Sequence, residues 1–321
     1  MSNTYDTSST SSFTPHSHLS EKSTKAISLA NSIETIEFTL NSLSLRGLSK
    51  CSDKSRIVLC LHGWLDNAAS FLPLLPHFND YHMIAIDFPG HGHSDHRSEG
   101  AHYHFFDYVY DLFELCELNQ WEGIDIVGHS MGGMIASAFA AAFPEKVRSL
   151  TLIDSLGFIY SDETQTTQQL RSAMTTRTKT EQSVVFNKVR SFSKSAAIKA
   201  RLSVSDLRAP DATLLIERSL RAFEHNKNEE QLFIWRSDKR LKTLSPYRLT
   251  MGQAKQLIKD IQCPVKLIFA DNGLKLIQEY IPIAEQLIEN FSAEKLTGGH
   301  HIHMEQPNDV ASIIKIFLAS N

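Results

Sequence analysis

Short apolar segments alternate with longer segments of helical periodicity along most of the chain. The apolar segments are rich in β-branched residues and run into glycine, proline or aspartate, which is typical of strands buried on both faces of a parallel sheet. They predict strands at residues 56–61, 83–86, 124–127, 147–153 and 265–269, and a weaker strand at 291–296. An antiparallel hairpin is predicted at residues 35–40 and 43–46, at the edge of the sheet.

Between the predicted strands, apolar residues recur at helical spacing. Helices are predicted at residues 105–118, 131–143, 281–290 and 307–319, and Pro144 ends the second of them. Strands that alternate with helices form βαβ units around a parallel sheet. The pattern therefore predicts an α/β protein with a mostly parallel, twisted sheet and helices on both faces.

Residues 156–262 interrupt this alternation. They contain almost no strand-like run, and their apolar residues fall at helical spacing, as at Leu214, Leu215 and Phe223. Lys and Arg outnumber Asp and Glu by eight in this segment, although the net charge of the whole chain is −4. We predict a helical cap at 156–262, inserted into a core formed by residues 29–155 and 263–321.

The N-terminal segment, residues 1–28, is rich in Ser and Thr and lacks the apolar centre of a signal peptide, so it is predicted to be a disordered tail. A transit peptide is the alternative, but the stretch before residue 26 has acidic residues and no arginine. No apolar run is long enough to predict a membrane span. The four cysteines show no paired spacing, which favours reduced thiols and a cytoplasmic protein. The small net charge argues against nucleic-acid binding.

One motif indicates nucleophilic catalysis. The segment Gly128-His-Ser-Met-Gly132 fits the pattern Gly-x-Ser-x-Gly, in which a serine lies on a strained turn between a strand and a helix. An apolar strand is predicted directly before Ser130 and an apolar helix directly after it, which is the context that the motif requires. Ser130 is therefore the predicted nucleophile.

A serine hydroxyl needs a base, and that base needs an acid to orient it. His300 follows two glycines between the last predicted strand and the last helix, where the chain order Ser, acid, His expects the base. Packing roles are predicted for His301 and His303. Asp154 and Asp271 each end a strand and compete for the role of the acid. Asp154 is preferred because Gly273, not an acid, occupies the usual place beyond the later strand.

An oxyanion hole requires two backbone N–H groups directed at the developing negative charge. One is predicted from Met131, the residue after the nucleophile, and the other from Trp64, in the loop after the strand at 56–61. The side chain of Trp64 could equally serve as a core aromatic.

Together, His62-Gly-Trp64, Asp87-Phe-Pro-Gly-His-Gly-His-Ser94, Gly128-His-Ser-Met-Gly-Gly133 and Gly299-His300 resemble the capped α/β-hydrolase superfamily, from about residue 33 onward. Within it, the segment from His62 to Phe71 is similar to the serine hydrolase-like proteins. Residues 269–274 resemble haloalkane dehalogenases, which carry their acid after the earlier strand, and this supports Asp154. The dehalogenase nucleophile is an aspartate, so that activity does not extend to Ser130.

The resulting expectation is a serine hydrolase that cleaves a carboxylic ester of a small-molecule acyl substrate. Two alternatives stay open: hydrolysis of a carbon–carbon bond with the same triad, and a ligand-binding module with slow turnover. No cofactor is expected, and the histidines at residues 91–104 are not interpreted as a metal site because their spacing does not match one. The sequence does not distinguish a monomer from a homodimer.

Overall fold

The computed structural model describes residues 33–52, 56–186, 190–223 and 231–321. The predicted tail at residues 1–28 lies outside these ranges. The described strands are β1 (Ile33–Thr39), β2 (Ser44–Lys50), β3 (Ile57–Leu61), β4 (His82–Ile86), β5 (Ile124–His129), β6 (Val147–Ile153), β7 (Leu220–Ala222), β8 (Phe233–Trp235), β9 (Val265–Ala270) and β10 (Phe291–Leu296).

Eight of these strands form one sheet in the order β1-β2-β4-β3-β5-β6-β9-β10. The β1–β2 hairpin lies at one edge, and β2 pairs antiparallel with β4. All the remaining neighbours pair in parallel. The predicted α/β fold class is confirmed. Because the parallel strands share one direction, the loops after β3, β4, β5, β6, β9 and β10 leave the same edge of the sheet.

The central strands of the sheet are buried on both faces. Along β3, Leu59 and Leu61 belong to one apolar cluster, whereas Val58 and Cys60 belong to the cluster on the opposite face. Successive side chains of a strand point to opposite faces, so an uninterrupted apolar run is what two covered faces demand. This explains why the strand predictions from apolar runs were accurate.

The described α-helices are α1 (Phe105–Asn119), α2 (Met131–Ala142), α3 (Thr166–Phe186), α4 (Lys194–Leu202), α5 (Ala209–Ser219), α6 (Met251–Lys259), α7 (Leu276–Leu287), α8 (Ile302–Glu305) and α9 (Pro307–Ala319). The predicted start of α7, at residue 281, was wrong by five residues. Pro282 lies inside α7 and not in its first turn, where a proline is usually tolerated.

The segment between β6 and β9, predicted as the cap, contains α3 to α6. It also contains the antiparallel pair β7 and β8, which the sequence did not predict. Each of these strands has three residues, too few to show an alternating pattern. Among the described helices, none is both long and apolar enough to cross a membrane.

Candidate active site

Ser130 occupies a tight turn between β5 and α2. Its φ of 49° and ψ of −119° are unusual for a residue with a side chain, and such strain persists only where the surroundings impose it. The turn is anchored by Ser130 N–H, which donates to Ile153 O (3.2 Å), and by Ser155 Oγ, which donates to Ser130 O (2.6 Å). The hydroxyl of Ser130 thereby projects from the loop edge of the sheet.

The two glycines of the motif are required by close backbone contacts. A Cβ atom on Gly132 would lie 2.2 Å from Leu61 O, and one on Gly128 would lie 2.6 Å from Gly133 Cα. Neither position can hold a side chain without separating α2 from the sheet. The contact with Leu61 also places the first turn of α2 directly beside the end of β3, where the loop that carries Trp64 begins.

Three side chains predicted for catalysis lie in one hydrogen-bonded chain. His300 Nε2 is 2.9 Å from Ser130 Oγ, and His300 Nδ1 is 2.6 Å from Asp154 Oδ2. Because a carboxylate only accepts, Nδ1 carries the proton and Nε2 presents its lone pair to the hydroxyl of Ser130. The arrangement has the geometry of a Ser-His-Asp triad.

Asp154 is fully buried and held in place by other donors. Its Oδ1 accepts from Ala270 N–H at 3.0 Å, and its Oδ2 accepts from Leu274 N–H at 2.7 Å as well as from His300. Its φ of 42° is one that aspartate and asparagine adopt more readily than most residues. The carboxylate therefore has a single orientation, directed at His300.

Asp271, the second choice for the acid, faces elsewhere. Its exposed carboxylate accepts from Gly298 N–H at 2.9 Å and bonds the neighbouring Asn272. A Cβ atom on Gly273 would lie 2.1 Å from Asp154 Oδ1. A side chain at position 273 and the carboxylate of Asp154 would thus occupy the same space, which explains why the chain has glycine at one position and aspartate at the other.

The predicted oxyanion donors lie on either side of the β3–α2 contact. In the described residues, neither Trp64 N–H nor Met131 N–H donates to a protein acceptor. His62 Nε2 accepts from Phe88 N–H and its Nδ1 donates to Gly63 O, which holds the loop before Trp64. The Trp64 side chain is not a core aromatic: it is about half exposed, and its Nε1 donates to Leu241 O of the predicted cap.

His301 and His303 lie in the interior, as their predicted packing roles require. Burial lowers the pKa of His303 to about 3, and its Nε2 is 2.6 Å from Ser70 Oγ. Burial also acts to lower the pKa of His301, but the carboxylates of Asp66 and Asp206 outweigh it and raise the pKa to about 9. His301 is therefore a buried cation directly after the catalytic candidate His300.

An ionic bridge connects the predicted cap to this loop, through residue pairs that no local spacing in the sequence indicated. Asp206, in the turn after α4, accepts a short hydrogen bond from His300 N–H and a 3.1 Å bond from His301 Nδ1. Arg201 of α4 forms an ion pair with Asp66, and Arg218 of α5 forms one with Asp87 at 2.8 Å. Part of the excess positive charge of residues 156–262 therefore pairs with acids of the core.

The hydrogen bond from His300 N–H to the carboxylate of Asp206 predicts that Asp206 positions His300. We expect Asp206→Ala to lower kcat about tenfold with little change in KM, because it removes a charged acceptor from the His300 backbone. Hydrogen bonds to charged groups are worth about 1.5–3 kcal/mol, and about 1.4 kcal/mol corresponds to a factor of ten in rate. Asp162→Ala is the matched control, since among the described residues that exposed carboxylate bonds only Thr164. Equal kcat values in both variants and the wild type would refute the role.

Comparisons with known proteins show the family of this chain. A sequence profile of the alpha/beta hydrolase fold matches residues 56–307. The chain is a member of the α/β-hydrolase family. It is 34% identical over 285 residues to a serine hydrolase-like protein of Danio rerio, covering 85% of each chain. It is 31% identical to serine hydrolase-like protein 2 of Homo sapiens, covering 81% of this chain and 86% of that protein.

A solved structure is similar as well. The hypothetical protein PA1622 from Pseudomonas aeruginosa PAO1 aligns with a TM-score of 0.79 and 31% identity, over 89% of this chain and 99% of that one. These findings, with the family profile, identify the protein as a hydrolase and confirm the resemblance to serine hydrolase-like proteins.

Proposed function

We propose that this hydrolase cleaves carboxylic esters through an acyl-enzyme on Ser130. The observation that carries the proposal is the hydrogen-bonded chain from Ser130 Oγ through His300 to Asp154, with its links of 2.9 and 2.6 Å. An ester is favoured over an amide because an alcohol leaves more easily than an amine.

In the first half-reaction, Ser130 Oγ attacks the carbonyl carbon while His300 Nε2 takes the hydroxyl proton. The carbonyl oxygen becomes negative, and the N–H groups of Trp64 and Met131 stabilise it. When the tetrahedral intermediate collapses, the imidazolium of His300 gives its proton to the leaving alcohol. The acyl group remains bonded to Ser130 Oγ.

In the second half-reaction, His300 Nε2 takes a proton from water, whose oxygen attacks the acyl carbon. The imidazolium then returns the proton to Ser130 Oγ, and the carboxylic acid is released. Asp154 holds the productive tautomer and stabilises the imidazolium in both halves. Its bonds to Ala270 and Leu274 N–H keep the carboxylate from turning away. The proposed steps use groups of the chain and one water molecule.

A fluorophosphonate probe and a set of substrates test the proposal. We expect the probe to label the purified protein at Ser130, as located by peptide mass, and p-nitrophenyl esters from acetate to palmitate to show saturable hydrolysis. A dienoate diketone is assayed in parallel. Faster cleavage of the diketone would favour the carbon–carbon hydrolase. Absence of labelling would instead favour the ligand-binding module with slow turnover.

We also propose a cytoplasmic location and a small-molecule acyl substrate as the partner of the site. The four cysteines are free thiols, which suits a reducing compartment. Fractionation of cells that express the full chain tests the location, and enrichment with the membrane fraction would contradict it.

A further inference from the structure

Three buried side chains lie directly behind the triad: Asp66, His129 and His301, here called the Asp66 cluster. Each offers one potential ligand atom, and the three atoms lie within 4.8 Å of one another. Asp66 Oδ2 is 3.2 Å from His301 Nε2 and 3.8 Å from His129 Nδ1. The three residues come from distant parts of the chain, so no local spacing indicated the cluster.

His129 leaves a lone pair without a partner in the interior. Its Nε2 is 2.9 Å from the carbonyl oxygen of His300 and must donate to it, so Nδ1 is the unprotonated nitrogen. Nδ1 has no hydrogen-bond partner among the described residues. The 3.8 Å to Asp66 Oδ2 is too long for a hydrogen bond, so two electron-rich atoms face each other across a gap. A fully buried acceptor left in this state requires an explanation.

Gly63 keeps that gap open. A Cβ atom at this position would lie 3.0 Å from His129 Nδ1 and 3.2 Å from Asp66 Oδ2. Even the smallest side chain would therefore be in tight contact with both atoms. The glycine of the His62-Gly-Trp64 motif thus leaves space that a third atom could fill.

The donor set suits zinc. Two imidazole nitrogens and a carboxylate oxygen are common zinc ligands, and two ligand atoms on a tetrahedral zinc lie about 3.3 Å apart. Histidine ligands of metals usually donate their other N–H to a carboxylate or a backbone carbonyl. His301 Nδ1 has such a partner in Asp206, and His129 Nε2 has one in His300 O. Arg201 bonds Oδ1 of Asp66 and leaves Oδ2 facing the two imidazoles. Its positive charge weakens the binding of any cation.

We propose that the Asp66 cluster binds one Zn²⁺ ion and that its occupancy slows the hydrolase. Asp66 Oδ2, His129 Nδ1 and His301 Nε2 supply three ligands, and water supplies the fourth. As the ion binds, His301 Nε2 releases to solvent the proton that it donates to Asp66 Oδ2 in the metal-free protein. The ion draws the rings of His129 and His301 together. Both residues are joined to His300: His129 Nε2 donates to its backbone carbonyl, and His301 is the next residue in the chain. The second part, the slower hydrolysis, rests on the proposed function of His300, whereas the binding does not.

The experiment uses untagged full-length protein carrying Cys51→Ser, which removes an exposed thiol that could bind metal. Co²⁺ serves as the spectroscopic probe, since tetrahedral Co²⁺ absorbs strongly in the visible range, and Zn²⁺ is added as the competitor. We expect one equivalent of Co²⁺ to bind, Zn²⁺ to displace it, and the hydrolysis of a p-nitrophenyl ester to fall at least fivefold on Zn²⁺ binding and recover with EDTA.

Two variants test the location of the ion. Asp66→Asn removes a ligand, and Gly63→Ala fills the gap while keeping all three ligands, so it remains informative if Asp66→Asn fails to fold. We expect each to weaken Co²⁺ and Zn²⁺ binding at least tenfold. His82→Gln is the matched control at the opposite end of the sheet. In the described part of the chain its ring bonds only Ser49, and the variant should bind both metals as the parent protein does.

Each outcome decides one part of the proposal. Co²⁺ absorption that is absent, or that persists unchanged in both variants, overturns the site. One bound Zn²⁺ with unchanged ester hydrolysis overturns the effect on the reaction. If the protein binds Co²⁺ as expected but its metal-free form resists fluorophosphonate labelling, the metal site is supported and the function proposed for Ser130 is refuted.

Discussion

Replacing Ser130 by alanine is expected to lower the turnover of a p-nitrophenyl ester by on the order of 10⁶, the loss typical of a triad serine. The reason is that no other group on the chain would form the acyl-enzyme. Folding should be retained, because alanine keeps the Cβ atom and the hydroxyl bonds only His300 in the described structure. Steady-state hydrolysis measured together with thermal melting checks both parts.

Ser137→Ala is the matched control for that variant. Ser137 lies on α2, the helix that follows Ser130, and its buried hydroxyl donates to Gly133 O at 2.8 Å without contact to His300. We expect this variant to hydrolyse the ester at nearly the wild-type rate. A Ser130→Ala protein within tenfold of wild type would exclude Ser130 as the nucleophile.

Asp154→Asn is expected to lower turnover by about 10⁴, as an asparagine does at the triad acid of serine proteases. An amide can donate to His300 Nδ1 and so favours the tautomer in which Nε2 no longer accepts the proton of Ser130. Asparagine also tolerates the positive φ of this position, so backbone strain should not account for the loss. Hydrolysis at saturating ester and circular dichroism are the measurements.

Asp271→Asn provides the comparison, because Asp271 bonds Gly298 and Asn272 and not His300. It should keep most of the activity, and an inactive Asp271→Asn beside an active Asp154→Asn would reverse the assignment. Because a side chain at position 273 would overlap the carboxylate of Asp154, a double variant gives a further test. The double variant Asp154→Gly, Gly273→Asp moves the carboxylate to the other loop and should recover part of the activity lost in Asp154→Gly alone.

The parts of the fold that follow local rules were predictable from the sequence. β6 and β10 have the predicted bounds, because their limits are set by apolar residues and the turns that follow. The turn at Ser130 was predictable because Gly128 and Gly132 are needed by close backbone contacts, the first with Gly133 and the second with Leu61. The hydrogen bond between Asp154 and His300 agrees with the choice made from Gly273, although the catalytic roles remain predictions.

The features that sequence reasoning missed depend on contacts between distant segments. Asp206 and His301 are separated by 95 residues, and Arg201 and Asp66 by 135, so no periodicity relates them. The start of α7 was misplaced because Pro282 is accommodated inside that helix, which only its surroundings decide. His301 was taken for a packing residue because its charge depends on two carboxylates from different loops.

The position of Asp154, directly after β6, also affects the stage of folding at which the candidate active site is completed. Ser130 and Asp154 lie on adjacent strands joined by one short helix, so they belong to a single local βαβ unit that a nascent chain can form early. Every described hydrogen-bond donor to the Asp154 carboxylate, from Ala270, Leu274 and His300, is synthesised only after residues 156–262. A growing chain thus holds a nucleophile with no base until β9 and β10 dock beside β6. Hydrolytic activity during refolding should therefore report the closure of this last, long-range pairing and not the formation of the earlier strands.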